Sequence, residues 1–204
     1  VNSAAGGAYT VASLTAGGGP AGSAASIDSG TGTNILNGNV AFDAANDPNK
    51  ATIAGNLALN GATRTFTVGN SVGTNAAVDL EVSAVISGAA GFGIIKGGVG
   101  VLKLSGSNTF DGILSVGNTL GTVILGNAQA LGTPSVTRTE LIGPIATLAF
   151  DGAGISDPLN RIALNINGTG DPLLGPVSGA LVNLAGNNTV PCAITLAAAS
   201  QIAS

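Results

Sequence analysis

The stretch from Lys96 to Gly132, KGGVGVLKLSGSNTFDGILSVGNTLGTVILGNAQALG, constrains the fold more than any other part of the 204-residue chain. Its apolar and β-branched runs, Val99 to Leu104, Ile113 to Val116 and Thr122 to Leu125, are cut by glycine and asparagine every handful of residues. Runs this short are strands, and the glycine and asparagine between them are turns. The stretch reads as one coil of a β-solenoid.

The same rhythm runs along the chain. Leu57 and Leu59 alternate with Ala58, Asn60-Gly61 turns, and Phe66 and Val68 alternate with Thr65 and Thr67. Over 78–87 the spacing predicts one half-buried strand of roughly ten residues. Val78, Leu80, Val82 and Ile86 would face inward, and Asp79, Glu81, Ser83 and Ser87 outward. Further on, Ile162, Leu164 and Ile166 alternate with Ala163 and Asn165, Val182 and Leu184 flank Asn183, and Ile194 and Leu196 flank Thr195. Prolines 134, 144, 158, 172, 176 and 191 fall in the joints, where a missing N–H harms a ladder least. No stretch reads as a convincing helix. Only the tail Ala197 to Ala203 has helical propensity, and it is short.

Many short strands without crossover helices suit a sandwich, a barrel or a solenoid. Only 3% of the residues are aromatic, which leaves little bulk for a two-sheet core, and asparagine and glycine recur at strand ends, where stacked rungs form side-chain ladders. The expected fold is therefore an all-β parallel β-helix. Repeats of roughly 20 to 25 residues would make about nine rungs, a rod on the order of 40 Å long. Residues 33–204 are expected to form a single solenoid domain, with 1–32 a flexible arm or a first rung. The 33 glycines have no triplet period, which excludes collagen, and 45% apolar residues with a net charge of −4 exclude a disordered chain.

The six basic residues, Lys50, Arg64, Lys96, Lys103, Arg138 and Arg161, are scattered rather than clustered, so nucleic acid is not an expected partner. No apolar run is long enough to insert this chain in a membrane. The sequence opens at Val1 in mid-pattern, as a processed or excised piece would. Cys192 has no second cysteine and the chain has no histidine, which rules out an internal disulfide and a Cys-His pair. It is expected as a small buried hydrophobe beside Ile194 and Leu196, with an intermolecular bridge as the alternative.

Little else carries chemistry. Asp79 and Glu81 stand two apart on one strand, about 7 Å between Cα atoms, a spacing glycosidases use, although a solvated outer face explains them as well. Asp43, Asn46, Asp47 and Asn49 form an oxygen-rich loop for calcium or an ordinary turn, and match no calcium motif. Gly91-Phe92-Gly93 and Gly97-Gly98 lack the context of a phosphate loop. No catalytic residue, cofactor or metal is expected.

From Gly97 to Gly112, GGVGVLKLSGSNTFDG, the chain resembles the passenger-associated transport repeat of bacterial autotransporters, an autotransporter-associated β-strand repeat with the pattern G-x-G-x-L-x-L-x-G-x-N-x-Y-x-G. A weaker likeness continues to Gly132. Phe110 stands where the pattern has an aromatic hydroxyl, and the connection from Val116 to Gly121 is about two residues longer than the family's. The resemblance implies a right-handed parallel β-helix, exported and held at the bacterial cell surface or shed outside it.

The two ends, Val1 to Gly30 and Pro191 to Ser204, are nearly uncharged and lack the polar caps a free solenoid needs. Two explanations follow: the chain is a slice of a longer passenger whose next rungs are missing, or the subunits stack end to end. The expected function takes the second, a non-enzymatic extracellular fibre or surface-layer subunit that stacks on copies of itself, with strand addition by the N-terminal arm as a further mode. Tyr9, Val11 and Leu14 on the arm, and Ile194 and Leu196 at the far end, are the expected assembly residues. The alternative is a segment of an adhesin passenger that binds host protein or glycan. A polysaccharide-active β-helix enzyme comes third.

Overall fold

A computed structural model describes residues 6–71, 77–117, 120–133, 138–155 and 162–204. They form a parallel β-solenoid, with no α-helix among them. The first coil holds β1 (Ala8–Val11), β2 (Leu14–Gly17) and β3 (Ser26–Asp28), and the second β4 (Thr33–Leu36), β5 (Val40–Asp43) and β6 (Ala51–Ala54). The third holds β7 (Asn56–Ala58), β8 (Arg64–Val68) and β9 (Leu80–Val82), and the fourth β10 (Val85–Ser87), β11 (Ile94–Gly97) and β12 (Val101–Leu104). Four coils with two strands each follow: β13 (Leu114–Val116) and β14 (Gly121–Leu125), β15 (Arg138–Ile142) and β16 (Ala146–Asp151), β17 (Ile162–Gly168) and β18 (Leu181–Ala185), and β19 (Ala193–Ser200) and β20 (Ile202–Ala203).

Every strand pairs with its neighbours one coil away. Sheet I is the four-stranded stack β1-β4-β7-β10; sheet II runs from β2 to β19 and sheet III from β3 to β20, each eight strands deep. All the pairings are parallel, as coiling in one direction requires. Partnered positions in sheet II recur after 20 to 30 residues, as from Lys96 to Val116 and from Ile166 to Leu196. Coils longer than the expected 20 to 25 residues explain why there are eight rungs instead of about nine.

Alternation within strands sorts residues to the two faces. In β12 the buried Leu102 and Leu104 alternate with Val101 and Lys103, and in β11 Ile94 and Lys96 are buried while Ile95 is exposed. In-register pairing lines the inward residues up in columns along the rod. One column in sheet III reads Ala51, Leu80, Leu102, Val123, Leu148, Leu181 and Ile202. The interior is filled mostly by Val, Ile, Leu and Ala, and four phenylalanines, Phe42, Phe66, Phe110 and Phe150, are buried among them. In β14 and β16 both faces are buried. There a 3₁₀ turn at Pro172–Val177 lies against the outer side of sheet III, where Ile124, Ala149 and Val182 form a second small apolar cluster.

Coils approach each other closely at the corners. A Cβ on Gly112 would stand 2.1 Å from the Phe92 carbonyl carbon, and Gly98 combines φ +76° with a would-be Cβ 2.4 Å from the Val68 oxygen. Only glycine fits either place.

Two expectations require correction. The ten-residue strand over 78–87 is two strands on different sheets, β9 in sheet III and β10 in sheet I. The chain turns at Ser83 and Ala84, whose N–H groups both donate to the Ile53 carbonyl of the preceding coil. The tail with helical propensity is extended in β19 and β20, because pairing with β17 and β18 satisfies its backbone. Local propensity yields there to a ready-made sheet edge.

Candidate assembly site and the buried charges behind it

The two ends of the stack are formed by the first and last coils. At one end lie β1, β2 and β3; at the other, β19 and β20. Among the described residues the outer edges of these five strands therefore carry no ladder partner.

Apolar side chains accompany those edges at the last coil. Leu196 continues the column of Val116, Ile142 and Ile166, and Ile202 continues the column that ends in Leu181. Ile166 is fully buried, yet Leu196 is 57% exposed and Ile202 58%, since each is the outermost residue of its column. Ile194 caps Leu164 in the same way. Beside Ile202 lies a cavity of about 220 Å³, walled by Phe150, Leu181, Val182, Val190, Ile202 and Ala203, with Asn183, Asn188 and Ser204 as its polar lining.

The first coil is the counterpart. Tyr9 and Val11 pair with the buried Asn34 and Leu36, so both face the interior, and Tyr9 is 47% exposed. Leu14 pairs with Val40 in sheet II and is buried. Residues 8–28 thus lie in the first rung, paired to their own chain. Of the five expected assembly residues, Tyr9, Val11 and Leu14 are brought together in the first coil, and Ile194 and Leu196 in the last, at opposite ends of the stack. Cys192 is half-buried and packs against the core together with Val190.

Asp79 is not on a solvated face. It is fully buried at the corner before β9, where its Oδ1 accepts from the Ser71 N–H at 2.9 Å and its Oδ2 from the Val101 N–H at 2.7 Å. Glu81 does face outward and takes the Lys50 ammonium at 2.5 Å and the Ser105 hydroxyl at 2.9 Å. The Lys50 bond holds its carboxyl below the usual range. The two acids thus share no face and form no catalytic pair. In the Asp43 loop, Asn46 and Asp47 take positive φ and Asn49 donates to the Gly22 carbonyl at 2.6 Å, which is turn chemistry.

Sequence reasoning missed the charges inside the core. Arg64, Lys96, Arg138 and Glu140 all occupy inward positions of sheet II. Arg64 donates to the Leu59, Asn37 and Leu36 carbonyls at 2.8, 2.8 and 2.5 Å, closing a corner between two coils. Lys96 sits in the column between Phe66 and Val116 and donates to the Gly98 carbonyl at 2.7 Å. Burial pulls its ammonium down to about 8, against the charges of Asp171 and Asp79. Arg138 meets Glu140 at 2.8 Å, lies 5.6 Å from the centre of the Phe110 ring, and donates to the Gly112 and Leu131 carbonyls. Glu140 also accepts the Leu114 N–H. The signal was legible as parity: Arg138 and Glu140 alternate in step with Ile142, and Arg64 with Phe66 and Val68.

Burial pushes the Glu140 carboxyl up to about 7 despite Arg138. In the unfolded chain the same group titrates near 4.5, so between those values the folded protein binds the extra proton. Stability from this group is present in acid and is lost as the pH rises from about 4.5 to about 7, by a few kcal/mol. Melting temperatures across that range should fall for the natural chain, and the Glu140→Gln variant should flatten the profile. An unchanged profile in the variant would assign the dependence to other groups.

These features define a parallel β-solenoid protein with charged side chains buried in its core. Comparison with protein-family models, with curated proteins and with solved structures yields no match to this chain.

Proposed function

We propose that this chain is a non-enzymatic structural subunit of an extracellular bacterial fibre or surface layer, built by end-to-end stacking of solenoids. The observation that carries the reading is the last coil. Ile194, Leu196 and Ile202 occupy interior positions of a continuous core yet face solvent, beside unpaired strand edges. These side chains are 38–58% exposed, so covering each stabilises by roughly 1 kcal/mol, about half the value of full burial, and the edges gain a ladder of hydrogen bonds. The first coil of another copy supplies what those edges require: parallel strands at the head of the same two sheets. A head-to-tail contact between unlike surfaces at opposite ends of the stack adds copies along its axis, and where the rotation does not close a ring it grows a filament. The bacterial surface as location is supported by the resemblance of residues 97–132 to the autotransporter repeat.

Electron microscopy of negatively stained protein at increasing concentration in physiological salt tests this reading. Filaments of uniform width that lengthen with concentration are expected. Monodisperse short rods at every concentration would overturn it.

A further inference from the structure

The two end coils differ in relief, and the differences match. We propose that copies stack in a single register, in which Tyr9 of one copy seats in the cavity walled by Phe150, Val190 and Ile202 on the last coil of its neighbour. This inference rests on the stacking reading above and adds its register and its principal contact.

The register follows from the interior columns. Leu14 heads the column that runs through Val40, Phe66, Lys96, Val116, Ile142 and Ile166 to Leu196. A neighbour that continues the column places its Leu14 on Leu196. Sheet III then continues as well, with β3 over β20. Ala25, whose carbonyl takes the Thr52 N–H, lies at the head of the Ala51 column and meets Ile202 at its foot. The segment ahead of β2 is β1, and the segment ahead of β19 is 186–192. β1 of the neighbour therefore passes over Val190 and Cys192.

Side-chain sizes complement each other in this arrangement. The protruding Ile202 meets the small Ala25, and the 220 Å³ cavity beside it meets the largest exposed side chain of the opposite coil. Tyr9 points inward from β1, since its partner Asn34 is 5% exposed and continues to Leu57 and Ile86. Its ring would lie against Phe150, Leu181 and Val190, and its hydroxyl would reach the polar wall of Asn183 and Asn188. An apolar body with a polar tip is what such a mixed pocket selects.

The single cysteine makes the register measurable. Val11 faces inward two residues after Tyr9, and Val11→Cys would stand near the neighbour's Cys192 at about one strand spacing, roughly 4.8 Å, within disulfide range. Thr10→Cys, facing the other way, is the control. Oxidation of preformed Val11→Cys filaments should give a ladder of disulfide-linked multimers in non-reducing gels. Thr10→Cys and the double variant Val11→Cys/Cys192→Ser should stay monomeric. Filaments in which Val11→Cys fails to cross-link would overturn the register while leaving stacking in place; absence of filaments from the natural chain would overturn both. Tyr9→Ala should raise the concentration needed for assembly 10-fold or more, and Tyr9→Phe should restore most of it. Assembly of Tyr9→Ala at the natural concentration would show that Tyr9 does not seat in the cavity.

Discussion

Replacing Leu196 with glutamate is expected to abolish filament growth while leaving the individual solenoid folded. Leu196 is more than half exposed on the last coil, so in a lone subunit the carboxylate stays in water. In a stack the same position lies inside a column whose inner members, Ile142 and Ile166, are almost fully buried. An unpartnered charge buried there costs about 3–5 kcal/mol per contact. That corresponds to roughly a hundredfold or more in the concentration at which subunits associate. Sedimentation across a concentration series, with a melting curve on each sample, separates the two effects. Association at the natural concentration would remove the last coil from the assembly contact. A collapse in melting temperature would show instead that Leu196 supports the fold, against its exposure.

Arg138→Ala is expected to destabilise the central coils by about 3–5 kcal/mol near pH 8, a drop in melting temperature on the order of 10 °C. The variant strands a carboxylate that is fully buried between Leu114 and Leu164 and leaves the Gly112 and Leu131 carbonyls without their donor. Near pH 5 Glu140 takes a proton, so the penalty should shrink. The double variant Arg138→Met/Glu140→Leu removes both charges at similar volume and should restore or exceed natural stability. Hydrogen exchange should place the single variant's loss in β13, β15 and β17, because a solenoid's stability is a sum over neighbouring coils. A loss below about 1 kcal/mol, or one equal at both pH values, would mean that the pair contributes little to the fold.

Period-two alternation cut by glycine and asparagine determined the fold class from the sequence. In a strand the face of each residue is dictated by its immediate neighbours. Leu102 and Leu104, Phe66 and Val68, and Ile162, Leu164 and Ile166 all lie inward as their parity requires. The number of coils, and which charged side chains belong to the core, were decided by the tertiary structure. Coil length depends on which corners close over which, as at Gly98 on Val68 and Gly112 on Phe92, and those contacts join residues about 20 to 30 apart. Asp79 broke the parity expected of it because it precedes β9 at a corner, where its carboxylate serves two backbone N–H groups. Arg138 and Glu140 kept theirs, but charges in step with Ile142 become interior only when neighbouring coils supply Phe110, Gly112 and Leu131 to receive them. A strand's alternation is local, whereas what lies on either side of it in the stack is set by the whole coil, and only the folded chain brings those partners together.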